Sequence, residues 1–222
     1  MNGVLLIHGF TGNRGEVEPL GRYLSERGFR IAMPCLTGHE SSMRQLAAAT
    51  YRDWIADVAS AYDALARECD SVAVVGFSMG GLLAAQLYQT HPFCRLVTVN
   101  TPIYYWNFLQ MGKNLRMDFR THWKKYFIPD APIPLRTLYN FQRLLSLTKP
   151  LFRKVDCPAL VIQVQDDDTV HPYSGKRLYN ALPNPDKRLY RPKSGGHILL
   201  QSDSFPVVAQ QVYDFLCREK TR

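Results

Sequence analysis

The sequence predicts an α/β protein: a mostly parallel sheet of about six strands with helices on both faces, interrupted once by an inserted helical segment. Three observations predict it. Short runs rich in β-branched and apolar residues alternate with stretches of helical periodicity, the rhythm of βαβ units. One of those runs, Val72 to Val75, is apolar at four successive positions, as a strand covered on both faces requires. The alternation then stops between Ile103 and Lys154, a stretch too long for a plain loop.

Taken in order, Gly3 to Ile7 reads as the first strand and Val17 to Arg27 as a helix, with Gly28 placed to end it in a left-handed conformation. Arg30 to Met33 is a second strand, stopped by Pro34. Tyr51 to Arg67 predicts a long amphipathic helix. Thr50 is its N-cap, and Trp54, Ile55, Val58, Tyr62 and Leu65 form its apolar stripe. Ser71 to Val75 is a buried strand, Met79 to Thr90 a helix and Arg95 to Val99 the next strand. Ala159 to Val164 and Lys187 to Tyr190 complete the sheet, and Phe205 to Cys217 closes the chain as a helix. The segment 103–154 carries a heavy aromatic load, from Tyr104, Tyr105 and Trp106 to Phe152, which argues against disorder. We read it as an inserted cap on a core made of residues 1–102 and 155–222.

A chain of 222 residues, 46% hydrophobic and 21% charged, fits one ordinary globular domain. Its apolar runs fall well short of the roughly 18 to 20 residues that span a bilayer, and Val4 to Ile7 is too short for a signal-peptide core. The five cysteines are odd in number, scattered and never in C-x-x-C spacing. They fit buried thiols in a reducing cytoplasm better than a disulfide framework or a zinc site. The net charge of +8 is unevenly spread. Ten of the 27 Lys and Arg but only two acidic residues lie between Ile103 and Lys154, leaving the remainder balanced. No nucleic-acid motif accompanies that excess. The basic cap could instead favour an anionic lipid surface or a negatively charged substrate, or be simply a set of solvated helix faces.

The chemistry centres on Gly76-Phe77-Ser78-Met79-Gly80. This G-x-S-x-G run follows a buried strand and precedes a helix, the setting of a nucleophile elbow. There the glycines avoid collisions in a sharp turn, and the serine sits beside a helix N-terminus that favours negative charge. A serine hydroxyl needs a base. Among six histidines, His197 lies in Ser194-Gly195-Gly196-His197, after the last strand and before the last helix, where α/β-hydrolases place their histidine. The acid that orients it is expected after the strand Ala159 to Val164, where Asp166, Asp167 and Asp168 follow one another. Asp167 fits best, because Asp167-x-x-Val170-x-Pro172 matches the usual loop after that strand. Asp168 is the alternative, and the carboxylates left over are read as solvated loop charges. For an oxyanion, His8-Gly9-Phe10-Thr11-Gly12 can offer a backbone N–H at Phe10, and Met79 a second. His8 itself is read as support for this loop rather than as a base.

At this point the sequence resembles the small bacterial carboxylesterases and monoacylglycerol lipases of the α/β-hydrolase superfamily. The residues that carry the resemblance are Leu5-Leu6-Ile7-His8-Gly9-Phe10-Thr11-Gly12, the loop Pro34 to His39 and Tyr51-Arg52-Asp53-Trp54. To these are added Gly76-Phe77-Ser78-Met79-Gly80-Gly81, the Asp167 loop and Gly196-His197, so the likeness runs over almost the whole chain. It implies hydrolysis of acyl esters by Ser78, Asp167 and His197, no cofactor or metal, and a cap after the strand ending near Val99. Members of this group usually carry extra strands before the first motif, so it also implies either a sheet trimmed on its N-terminal side or a truncated start. Other serine acyl chemistry, on amides, thioesters or by acyl transfer, and a non-catalytic ligand-binding module remain as alternatives. The serine at the elbow disfavours haloalkane dehalogenases and epoxide hydrolases, whose nucleophile there is aspartate.

Overall fold

The structure, a computed structural model, describes residues 1–104 and 133–218. Six strands form one sheet: β1 (Asn2–Ile7), β2 (Arg30–Ala32), β3 (Ser71–Phe77), β4 (Leu96–Val99), β5 (Ala159–Ile162) and β6 (Lys187–Tyr190). Their order is β2-β1-β3-β4-β5-β6 and every pairing is parallel. This is the expected architecture. The short strand β2 is the edge beside β1, so among the described residues no strand lies beyond it.

Side-chain alternation divides the core in two. Val4 and Leu6 of β1 face one side together with Ala73, Val75 and Phe77 of β3, while Leu5, Ile7, Val72 and Val74 face the other. The first side is covered by α1 (Glu18–Ser25) and the C-terminal helix α7 (Phe205–Leu216). The second is covered by α3 (Tyr51–Ala66), α4 (Met79–Tyr88), α5 (Leu135–Thr148) and α6 (Tyr173–Ala181). The helix α4 is buried nearly all round, held between the sheet and the helices outside it. Its missing amphipathic stripe is therefore what its position demands.

Local signals set the boundaries. Gly28 ends α1 at φ +89°, and Phe29 returns its N–H to the Leu24 carbonyl at 3.2 Å. Thr50 caps α3 in a reciprocal box, its side chain accepting from Asp53 N–H while the Asp53 carboxylate accepts from Thr50 N–H at 2.8 Å. Two helices are additions to the sequence reading. The short helix α2 (Met43–Ala48) starts on a capping box between Ser42 and Gln45. The helix α6 buries a single large apolar side chain, Leu178, so its periodicity is too weak to stand out. It sits close on β5: a Cβ at Gly175 would fall 2.4 Å from that of Gln163.

Within the predicted cap, residues 105–132 lie outside the described residues. The described part of that segment from Ile133 onward packs on the core. Phe141, Leu144 and Leu145 of α5, with Phe152 of the 3-10 turn Lys149–Lys154, join the same cluster as Trp54, Val58 and Leu82.

Candidate active site

The strand order reverses between β1 and β3: the chain leaves β1 for β2 on one side and returns to β3 on the other. A crevice opens outside the carboxyl ends of two such strands. The residues after β1 are His8 to Gly12, and the residue after β3 is Ser78.

The elbow is strained as its role requires. Ser78 has φ +51° and ψ −118°, a backbone region that costs a non-glycine residue about 1–3 kcal/mol. Its N–H is anchored to the Val99 carbonyl at 2.8 Å. The turn is so tight that a Cβ on Gly76 would meet the Gly80–Gly81 peptide at 2.4 Å. A Cβ on Gly80 would fall 2.1 Å from the Ile7 carbonyl oxygen and 3.0 Å from that of His8. These two glycines therefore let the first turn of α4 lie directly on the end of β1. That sets Gly80, next to the Met79 amide that opens the helix without an intrahelical acceptor, against the carbonyls of Ile7 and His8 just before Phe10. Among the described residues the Phe10 amide has no hydrogen-bond acceptor.

Three distant side chains meet at Ser78. The Nε2 of His197 lies 3.1 Å from Ser78 Oγ, and its Nδ1 lies 3.0 and 3.1 Å from the Asp167 carboxylate oxygens. Ser78 is 4% exposed and Asp167 fully buried, whereas the His197 side chain keeps 13% exposure. Asp167 is held by its own loop: Oδ1 accepts from the N–H groups of Thr169 and Val170, both at 2.9 Å, and Oδ2 from Gln163 Nε2 at 3.3 Å. With the carboxylate facing Nδ1, the proton belongs on Nδ1 and Nε2 is an acceptor towards the serine hydroxyl.

The other two aspartates of the run are not the solvated charges expected of them. Asp166 accepts from the N–H groups of Gly196 at 2.9 Å and Gly195 at 3.3 Å, tying down the loop that carries His197. Both glycines have positive φ, Gly195 at +139° and Gly196 at +64°, so that loop needs external ties. Asp168 is buried, with Thr169 Oγ1 donating to it at 3.1 Å. The correction has a simple cause: the loop after β5 folds inward against the histidine loop, and neighbouring carboxylates on a turn point in different directions.

Asn100, which sequence reasoning passed over, is the joint between these pieces. It is fully buried at the end of β4 with φ +49°, a conformation asparagine tolerates well. Its Nδ2 donates to the carbonyls of His197 at 2.8 Å and Gly196 at 3.3 Å, and its Oδ1 accepts from Val164 N–H at 3.0 Å. An Asn100→Ala enzyme should lose about 2–4 kcal/mol of stability, since several buried backbone groups lose their partner, measurable as a lower urea midpoint. Its kcat/KM should fall at least about tenfold, because the imidazole is no longer held.

His8 supports the first loop as expected. It is fully buried, with Nδ1 3.0 Å from the Gly9 carbonyl and Nε2 accepting from Leu36 N–H at 3.3 Å. Burial pushes its imidazole below the ordinary histidine range, so it stays neutral. A wall of aromatic rings stands next to Phe10: its ring stacks on Phe141 of α5 with centroids 4.5 Å apart, and Trp54 meets it edge-on at 6.2 Å.

Comparisons with known proteins agree with this fold. A family model described as the alpha/beta hydrolase fold matches residues 2–149. The chain is 30% identical to a carboxylesterase from Bacillus subtilis (strain 168), over 96% of this chain and 91% of that one. It is 26% identical to a thermostable monoacylglycerol lipase from Bacillus sp. (strain H-257), over 97% and 90%. A solved structure from work on LipS and LipT, two metagenome-derived lipolytic enzymes, superimposes with a TM-score of 0.83 at 26% identity, covering 97% of this chain and 93% of that one.

Proposed function

This chain belongs to the alpha/beta hydrolase fold family, and on that premise we propose that it hydrolyses carboxylic esters through an acyl-enzyme on Ser78. The observation that carries the reading is the unbroken line from Asp167 through the imidazole of His197 to the Ser78 hydroxyl, at 3.0 and 3.1 Å. Ser78 Oγ attacks the ester carbonyl carbon while His197 Nε2 takes its proton. The carbonyl oxygen becomes an oxyanion between the amides of Phe10 and Met79. The imidazolium, steadied by the buried Asp167, then protonates the departing alcohol, leaving the acyl group on serine. Water, deprotonated by the same nitrogen, releases the acid and restores the hydroxyl. The names of the relatives, carboxylesterase and monoacylglycerol lipase, support the choice of ester.

Segment 103–154 is read as a cap over this crevice, supported by Phe141 of α5 stacking on Phe10. The exposed cations Arg136, Arg143, Lys149, Arg153 and Lys154 would suit contact with anionic lipid. Among the described residues no helix is long and apolar enough to cross a membrane. A cytoplasmic setting is supported by the five cysteines, none of which is joined in a disulfide among the described residues.

A series of p-nitrophenyl esters of increasing chain length tests the reading. We expect p-nitrophenolate release by the enzyme with an initial burst of about one equivalent, and a transient mass increase equal to the acyl group on the Ser78 peptide. Release of nothing from any member of the series overturns it.

A further inference from the structure

The reaction makes no use of Glu16 or His39, yet both reach the turn that carries Phe10. Glu16, in the 3-10 turn Arg14–Glu16, accepts from Gly9 N–H on Oε2 at 2.9 Å. Its carboxylate fills the space under the turn so closely that a Cβ on Gly12 would fall 2.1 to 2.3 Å from it. His39, from the loop after β2, is buried and accepts from Thr11 N–H on Nε2 at 3.2 Å. The turn is closed by Gly12 N–H to the Gly9 carbonyl at 3.4 Å, with Thr11 at φ +57°, unfavourable for a β-branched residue. The amides before and after Phe10 are thus committed to side chains, and the Phe10 amide stands between them without an acceptor among the described residues.

We infer that Glu16 and His39 are positioning residues of the oxyanion hole: by holding the amides of Gly9 and Thr11 from either side, they aim the Phe10 N–H at the oxygen that becomes charged. The inference rests on the acyl-enzyme reading above. Both side chains are suited to the task. His39 packs against His8 and Trp54, with ring centroids 5.0 and 5.5 Å away. Burial, and then the neighbouring His8, hold its imidazole down at about 4, so at neutral pH it is an acceptor. Burial raises the Glu16 carboxyl above the ordinary range, while the Gly9 N–H pulls the other way by favouring the ionised form. An ionised acceptor makes the stronger tie to an amide.

The test uses the full-length enzyme with Glu16→Ala, Glu16→Gln and His39→Ala. Removing a positioning tie should lower kcat by about 10- to 100-fold in Glu16→Ala and His39→Ala while KM stays within about twofold. The affinity for a trifluoromethyl ketone, whose serine adduct carries the oxyanion, should fall in step with kcat. Glu16→Gln keeps an acceptor for Gly9 and should return to within about threefold of the parent. Unchanged kcat in both alanine variants, or equal damage in Glu16→Gln and Glu16→Ala, overturns the inference. Amide hydrogen exchange of the unsubstituted enzyme decides the placement without relying on activity or on variants that fold. Gly9 and Thr11 should be protected while Phe10 exchanges freely, and unprotected Gly9 and Thr11 overturn it as well. An enzyme with that exchange pattern but no action on any ester would count against the proposed function alone.

Discussion

Ser78→Ala should abolish ester hydrolysis, lowering kcat by about 10⁴- to 10⁶-fold, equivalent to roughly 5–8 kcal/mol of lost transition-state stabilisation. The size reflects the groups that remain. Without Oγ no acyl-enzyme forms, and the amides of Phe10 and Met79 can assist only direct attack by water. The fold should be untouched, since alanine needs less room in a site where serine is 4% exposed, and the backbone strain at φ +51° is present either way. A urea midpoint close to that of the parent, loss of labelling by a fluorophosphonate and absence of the p-nitrophenolate burst are the expected set. Retention of more than about one per cent of the parent rate would remove Ser78 from the mechanism.

Asp167→Asn is expected to cost about 10⁴-fold in kcat/KM with the site still assembled. The geometry explains why so conservative a change is so damaging. The Asp167 carboxylate accepts from the N–H groups of Thr169 and Val170 at one oxygen, and asparagine can satisfy both only by placing its carbonyl oxygen there. Its NH₂ must then face His197 Nδ1. That nitrogen is forced to accept, the ring proton moves to Nε2, and the atom 3.1 Å from Ser78 Oγ becomes a donor instead of a base. Nitrogen-15 spectra of the imidazole should show the exchanged tautomer. A loss smaller than about tenfold, or an unchanged tautomer, would mean that another group holds the ring.

How much of this was legible before folding depends on which kind of signal each residue carries. Ser78, Asp167 and His197 stand in motifs tied to strand ends, so the order of strands along the chain places them, and the structure brings all three together. The strands β1 and β3 were legible because buried parallel strands demand unbroken apolar runs. Glu16, His39, Asp166 and Asn100 left no comparable trace. His39, Asp166 and Asn100 each hold a backbone amide or carbonyl in a loop from another part of the chain, Glu16 holds one only seven residues before it, and such docking has neither period nor spacing. For Asn100 one hint existed: an asparagine directly after a buried strand, where a left-handed residue is often needed. For α2 the hint was Ser42-Met43-Arg44-Gln45, a capping box without a long apolar stripe behind it. The misreading of Asp166 and Asp168 has a different origin, because burial of a loop carboxylate depends on which neighbouring loop folds over it.

The separation of the three reacting groups along the polypeptide carries a consequence for its birth on the ribosome. Strands β1 to β4 and the helices between them are synthesised first, and domains fold as units from the N-terminal end. A nascent chain that has reached Thr148 already possesses the alcohol on its elbow. It lacks both the proton acceptor and the carboxylate, which arrive 119 and 89 positions after it. On the proposed roles of these groups, the emerging polypeptide is chemically silent towards acyl compounds around it until the loop between β6 and α7 settles against Asn100.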